Sequence, residues 1–320
     1  MDNQSFTHMY YHDILPIGTA AKNIHKAIDR SALKHFNGAL INCMGASSEN
    51  MWNRPSSSIT RCSDDFLPEN RDWFTKHILQ CAFNSMIQGV FYVCDWDMWW
   101  TDDSQAVKNS VLRAISGGPI YTSDMLGRSR QEILSPLCLS DGRILRCDHP
   151  AVPLEKCVYS NPEINKHPFM LQNTADGRIY VAAFNLDKDN NIVKDTLSVD
   201  DTNHTEQNSF VLYEYFNKTA KIINTNEKTD IELTDRDDFR LYSIIPKRNI
   251  TFIGLIDKMI PSRTIESETE SSVILKEGGK LAFVSENDIN AVFSNGMQVP
   301  FEKSGILYTV NVEGGEITVK

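Results

Sequence analysis

The sequence has no apolar run long enough to span a bilayer, so no membrane-crossing helix is expected. It has no C-x-x-C pair. Its seven cysteines (Cys43, Cys62, Cys81, Cys94, Cys138, Cys147 and Cys157) leave everything after residue 157 without one. An odd count with neither zinc nor redox spacing predicts free thiols in a reducing compartment, hence a cytoplasmic setting. The opening residues MDNQSFTHMYYHDI carry neither a basic region nor an apolar stretch, so no secretory signal is expected. Positive charge is also in deficit: 32 Lys and Arg against 42 Asp and Glu give a net charge of -10. That balance argues against nucleic acid or an anionic membrane as the main partner. His8, His12, His35 and His77 lack metal-ligand spacing, so neither a metal nor a cofactor is implied.

What the chain does have is an ordinary globular composition, 41% hydrophobic and 23% charged, over 320 residues. Its first half alternates short apolar runs with helix-like stretches. Residues 18–36 read as a helix with Ile24, Ala27, Ile28 and Phe36 near one face. ALINCM (39–44) reads as a strand. Residues 69–88 carry a helical stripe of Phe74, Ile78, Cys81, Ala82 and Met86. VFYVC (90–94) and PIYTS (119–123) read as further strands, separated by a helix that ends at Gly117-Gly118; Asp103 or Ser104 can cap it. Strands alternating with long helices imply a parallel sheet or barrel, with the chemistry just past the strand ends. Near residue 150 the composition shifts to short Val/Ile/Tyr/Phe/Thr runs split by Asn, Asp and Gly, which predict an antiparallel sandwich, with SETESS as a polar linker or exposed loop.

Polar residues gather at four places along the first half: DNQ (2–4), NCM (42–44), RCSDDF (61–66) and CDWDM (94–98). Glycoside cleavage needs two carboxyls flanking the anomeric carbon, one ionised and one protonated, with hydrogen-bonding groups and aromatic walls for the sugar. Asp97, Arg61, Trp96 and Trp99 could supply the latter. Taken alone, Asp95 and Asp97 could as well be a solvated strand end as a site, with a metal-binding Asp-x-Asp a lesser option. Asp64 or Asp65 could cap the helix beyond Pro68. Alternation along an extended strand would bring Asp95 and Asp97 to one face through Trp96.

RCSDDF, DWDMWWTDD, RAISGGPIYTSD and LSDGRILR together resemble the signature segments of the raffinose synthase and seed-imbibition-protein branch of the family thirty-six glycoside hydrolases, which is close to α-galactosidases. The resemblance implies the C-terminal half of a (β/α)8 TIM barrel over residues 1–150, followed by an all-β antiparallel sandwich over 151–320. It implies a retaining two-aspartate mechanism on a galactosyl oligosaccharide or other α-glycoside, ending in hydrolysis or galactosyl transfer. The family's nucleophile motif is Lys-Val-Asp-Asn-Gln, which makes Asp2 the nucleophile. In lysosomal-type α-galactosidases a sugar-binding Arg precedes the acid/base by four residues. That points from Arg61 to Asp65, with Asp64 the alternative. Asp97 and Met98 match a substrate-contacting Asp-Met, and Cys43, Asp95 and Trp96 join them as substrate-binding candidates. Met1 and Asp2 stand where the motif has Lys-Val-Asp, and members have several hundred residues before it. The expectation is therefore an incomplete barrel needing an N-terminal half or self-association. The alternative is a non-catalytic, carbohydrate-binding or structural remnant.

Overall fold

The computed structural model describes residues 1–202 and 207–320. Two helices, α1 (Thr7–Tyr11) and α2 (Ile17–Phe36), precede the first strand. Three short strands, β1 (Ile41–Asn42), β2 (Ile59–Arg61) and β3 (Val93–Asp95), form a parallel sheet in that order. β1 and β3 end where an apolar run gives way to polar residues, whereas β2 is Ile-Thr-Arg with no apolar run. The crossovers that parallel pairing requires are supplied by α3 (Ser48–Met51) and α4 (Arg71–Gln88), and α5 (Ala106–Ser116) follows β3. Pairing continues on both sides. The Met1 amino group donates to Ile41 O at 2.9 Å and Cys43 N donates to Met1 O at 2.9 Å, the pattern of a parallel bridge opposite Asn42. Past β3, Trp99 makes a parallel bridge with Thr122. The expected strands at 39–43 and 90–94 are present and parallel but not adjacent, because Ile59–Arg61 lies between them, and 119–122 forms no strand and joins only through the Trp99–Thr122 bridge.

α4 starts where Asn70 Oδ1 accepts from Trp73 N at 3.0 Å, so neither Asp64 nor Asp65 is its cap. It buries Phe74, Ile78, Cys81 and Ala82, while Met86 turns outward. Each large apolar side chain removed from water there stabilises the fold by about 1.5–3 kcal/mol. α5 is buried at every position from Lys108 to Ser116, packed against strands of the antiparallel sheet that follows and against the short helix Gln131–Leu134. Gly117, at φ +74°, ends it in the left-handed conformation that a side chain disfavours. Asp103 Oδ1 accepts from Gln105 N at 2.7 Å just ahead of this helix.

α2 departs from its expected stripe. The buried positions are Ala20, Ala21, His25, Asp29 and Ala32, while Phe36 is exposed. The polar members each bond the segment after β1 through one atom: His25 Nε2 bonds Asn50 Oδ1 at 2.8 Å, and Asp29 Oδ2 accepts from Ser56 N at 2.8 Å, while His25 Nδ1 and Asp29 Oδ1 are buried without a partner among the described residues. Burial lowers the His25 pKa, which keeps the ring neutral. Leu33 and Phe36 face solvent together with Met9, Tyr10 and Ile14 from the first helices and their connection.

The second half is antiparallel. Val152–Pro153 (β4), Phe169–Ala175 (β5), Arg178–Phe184 (β6), Val193–Leu197 (β7), Ser209–Glu214 (β8), Thr219–Asn224 (β9), Thr229–Leu233 (β10) and Phe239–Pro246 (β11) build a six-stranded sheet, β4-β5-β6-β11-β8-β9, and a β7–β10 pair. This six-stranded sheet shares a continuous apolar core with α4 and α5. Strands from Ile250–Leu255 to Gly315–Val319 form a four-stranded and a five-stranded sheet around a core of their own, centred on Phe252, Phe283 and Tyr308. The runs expected to share one sandwich are therefore divided, with RLYSIIP in β11 and the later strands elsewhere. SETESS is no linker: it closes a hairpin between Ile265–Glu268 and Ser272–Leu275. Among the described residues, no helix is long and apolar enough to cross a membrane. All seven cysteines are free thiols.

Candidate active site

Strand register lines up four of the predicted side chains. Met1 lies opposite Asn42, Asn42 opposite Thr60, and Thr60 opposite Cys94. One residue further on, Asp2, Cys43, Arg61 and Asp95 fall in a row across neighbouring strands at their C-terminal ends. Residues in register on parallel strands share a face, so the row is a consequence of pairing rather than of loop conformation.

Arg61 is the hub of this row. Its Nη1 pairs with Asp97 Oδ2, and its Nη2 donates to Asp65 Oδ1 at 2.9 Å and to Cys43 Sγ at 2.8 Å. Burial opposes its charge, but Asp97, Cys43 and Asp65 more than offset this and hold its pKa above the ordinary value. Asp97 also accepts from Phe66 N at 2.7 Å, and its own N–H donates to Asp95 Oδ1 at 3.0 Å. Asp95 is fully buried, which pushes its pKa up. The Tyr121 hydroxyl, donating to Asp95 Oδ2 at 2.9 Å, pulls it down, and the nearby Asp97 charge adds to the rise.

The two aspartates of CDWDM converge by a route other than the expected one. β3 stops at Asp95, and Asp97 adopts φ +62°, a left-handed conformation that Asp tolerates better than most residues. The turn folds the second carboxylate back over the row. Trp96 then points the other way, into the core beside α4, where its Nε1 donates to Ser85 Oγ at 2.9 Å. Trp96 and Trp99 are both fully buried, so neither forms the expected sugar wall. Met98 is half-buried, and its Sδ accepts from Ser123 Oγ at 2.9 Å.

The adjacent aspartates of RCSDDF separate cleanly. Asp64 turns to α4, where Gln80 Nε2 donates to it at 3.0 Å and Lys76 lies at 3.2 Å. The Gln80 bond leads in lowering its pKa, against a smaller opposing effect of burial, and Lys76 assists. Asp65 turns to Arg61 and leaves its carboxylate 77% exposed. Asp2 is exposed too. The backbone N–H of Asn3, at 2.7 Å, and then the Cys43 thiol lower its pKa, favouring the ionised form that a nucleophile needs. The Cys43 thiol itself is pushed up by burial, partly countered by Arg61. Among the described residues, no three His, Cys, Asp or Glu side chains are grouped to hold a metal.

Three residues outside the sequence reading complete the site. Arg113, fully buried, donates from Nε to Asp97 O at 3.2 Å and from Nη2 to Met98 O at 2.8 Å, which fixes the left-handed turn. Tyr121 holds Asp95. Trp73 Nε1 donates to Asp65 O at 2.6 Å. Arg113 was findable as the one cation in the last turns of an otherwise small and apolar helix. Tyr121 and Trp73 carry no local signal that separates them from core aromatics.

Comparison with known proteins now bears on this geometry. The family described as raffinose synthase or seed imbibition protein Sip1 matches residues 18–185, more than half of the chain. The chain belongs to that family. The matched span contains β1 to β6 and every candidate site residue except Asp2. The galactinol–sucrose galactosyltransferase of Pisum sativum is 35% identical over 152 residues, covering 44% of this chain and 19% of that protein. The stachyose synthase of Pisum sativum is 32% identical over 155 residues, covering 44% of this chain and 18% of that protein. The chain thus spans about a fifth of the length of the curated relatives it matches. Among solved structures, a candidate α-galactosidase from Bacteroides fragilis NCTC 9343 is 14% identical with a TM-score of 0.47, covering 71% of this chain and 51% of that one.

Proposed function

We propose that this chain carries one side of a galactosyl-transfer site of the raffinose synthase type. The observation that carries the reading is Arg61 gathering Asp65 and Asp97 on its two amino groups, in a strand-end row that also contains Asp2. Asp2 is the nucleophile. Its carboxylate oxygen bonds to the anomeric carbon while the bond to the leaving oxygen breaks, and Asp65 gives that oxygen a proton. In the second half, an acceptor hydroxyl returns a proton to Asp65 and its oxygen displaces Asp2. Asp97 and Arg61 fix the galactosyl hydroxyls, with Asp95, Cys43 and Met98 shaping the floor. The acceptor is a sugar, as the names of the relatives suggest, or water, which makes the same chemistry hydrolysis.

The same reading makes residues 1–150 the C-terminal half of a (β/α)8 barrel and 151–320 its β region, working in the cytoplasm. The remaining barrel strands come from another segment, and the exposed Met9, Tyr10, Ile14, Leu33 and Phe36 support a partner surface there. The second reading is a non-catalytic carbohydrate-binding remnant, favoured by the exposure of Asp2. Turnover of p-nitrophenyl α-galactoside separates the two. The chain alone should be inactive. Combined with a polypeptide supplying the preceding strands it should become active, and Asp97→Asn should then remove most of that activity. Asp65→Ala should slow substrates with poor leaving groups far more than the activated aryl glycoside. Inactivity of every combination would favour the remnant.

A further inference from the structure

A cavity of about 300 Å³ opens on the β region, and every residue lining it lies beyond residue 211, so none belongs to the strand-end row. Register builds its floor. Tyr242 in β11 is opposite Glu214 in β8, and Glu214 is opposite Thr219 in β9. Arg240 and Leu212, each two residues along its strand, share that face, and Lys221 is opposite Leu212. β10 supplies the facing wall, with Ile231 buried against the sheet.

Two groups on this floor are buried yet keep bonding capacity. Tyr242 is 6% exposed, and none of the described residues bonds its hydroxyl, although a buried hydroxyl ordinarily has a partner. Glu214 is 7% exposed. Its Oε1 accepts from Phe216 N at 3.0 Å and its Oε2 from Asn217 N at 2.6 Å, at the turn between β8 and β9. Each carboxylate oxygen can accept twice, so one site remains on each. Arg240 is already engaged by Asp238, with Nη2 to Oδ2 at 3.4 Å and Nη1 on Oδ1.

We propose that this cavity binds one sugar ring of a neutral oligosaccharide, at a site separate from the strand-end row. Such binding holds whether or not the row is catalytic. A ring hydroxyl both donates and accepts, so adjacent hydroxyls can donate to Glu214 and bond the Tyr242 hydroxyl side by side with it. The floor charges are compensated, Glu214 by two backbone N–H groups and Arg240 by Asp238, which disfavours a charged ligand there. At the rim, Lys221 and Asp230 are of opposite sign and add no net charge. Leu212 and Ile231 offer apolar surface to ring C–H groups. The space admits one ring rather than a chain, since small-ligand pockets run from about 300 to 1,000 Å³.

The test is titration of the 320-residue chain, carrying carbon-13 at its Ile and Leu methyl groups, with sucrose, read by methyl NMR. The Ile231 and Leu212 signals should move saturably. Tyr242→Phe removes only the unpartnered hydroxyl. It should raise the Kd about two- to tenfold and leave the melting temperature unchanged or higher. Thr219→Phe, which fills the space beside Glu214 from an edge strand that accepts aromatics, should abolish the shifts by a separate route. Asp97→Asn, a change of equal shape in the strand-end row, should leave them intact. Sorbitol, an open-chain polyol, should bind far more weakly because it must be ordered first. No saturable shift with sucrose, shifts indifferent to both Tyr242→Phe and Thr219→Phe, shifts lost in Asp97→Asn, or equal binding of sorbitol would each overturn the assignment.

Discussion

Replacing Arg113 by Met should destabilise the chain more than any single exposed ion pair. The guanidinium is fully buried and makes four polar contacts: Nε to Asp97 O at 3.2 Å, Nη2 to Met98 O at 2.8 Å, Nη1 to Asn109 Oδ1 at 2.8 Å and Nη2 to His77 Nε2 at 3.2 Å. It also lies over the rings of Phe66 and Trp99, at 5.2 and 5.7 Å. His77 stays neutral here, its pKa lowered to about 3 chiefly by burial and next by Arg113 itself. Met fills much of the same volume but donates nothing. Two carbonyls of the turn are then left without partners, each costing about 1–3 kcal/mol. Relief from burying a charge offsets part of that, so the net loss should be roughly 2–4 kcal/mol. For a chain of this size that corresponds to a fall of about 3–6 °C in the unfolding temperature, read by calorimetry. Arg113→Lys keeps a charge but reaches only one or two of the acceptors, so it should recover only part of the loss. A melting temperature within about 2 °C of the unaltered chain, or full recovery by Lys, would refute the claim that the forked geometry fixes the Asp97 turn.

Three further outcomes follow from single contacts. Lys108 lies buried over the Phe74 ring at 4.2 Å and donates to Arg236 O, and burial lowers its pKa to about 7. The unfolded chain then binds more protons than the folded one between pH 7 and the ordinary lysine value of 10.5, so stability should rise with pH through that window. Lys108→Met should raise the melting temperature near pH 7 and lose that advantage towards pH 10; a constant difference would disprove the buried titration. Asp95 has the opposite sign: its pKa is raised, so its burial costs stability as pH climbs above the ordinary 3.8. Asp95→Asn, whose amide can serve both Tyr121 and the Asp97 N–H, should therefore gain relative stability as pH rises. At Gly118 a Cβ would sit 1.9 Å from the Cys94 carbonyl oxygen. Gly118→Ala should cost at least about 1–3 kcal/mol, and a melting curve matching the unaltered chain would show that the two segments are not packed as described.

The sequence by itself determined β1, β3, the long helices α2, α4 and α5 and the grouping of chemistry at strand ends, because these depend on local periodicity and on where apolar runs stop; β2 and α3 carry no such run, and PIYTS makes a single bridge rather than a strand. The family resemblance, not the residues alone, pointed to Asp65 with Asp64 as the alternative; the structure places Asp65 on Arg61 and Asp64 on α4. Register could not be read locally. The row of Asp2, Cys43, Arg61 and Asp95 exists because four separate segments pair at matching positions. The same limit explains Trp96. Alternation correctly puts it opposite Asp95, but whether that opposite side is solvent, cleft or helix depends on α4 packing behind the sheet. Only the tertiary structure decided that Asp97 reaches the row through a left-handed turn, since the turn is held by Arg113 from a helix sixteen residues away in sequence. It likewise divided the C-terminal strands between a sheet that completes the helical core and two sheets that enclose a second core, because alternation says which side of a strand is buried and not against what.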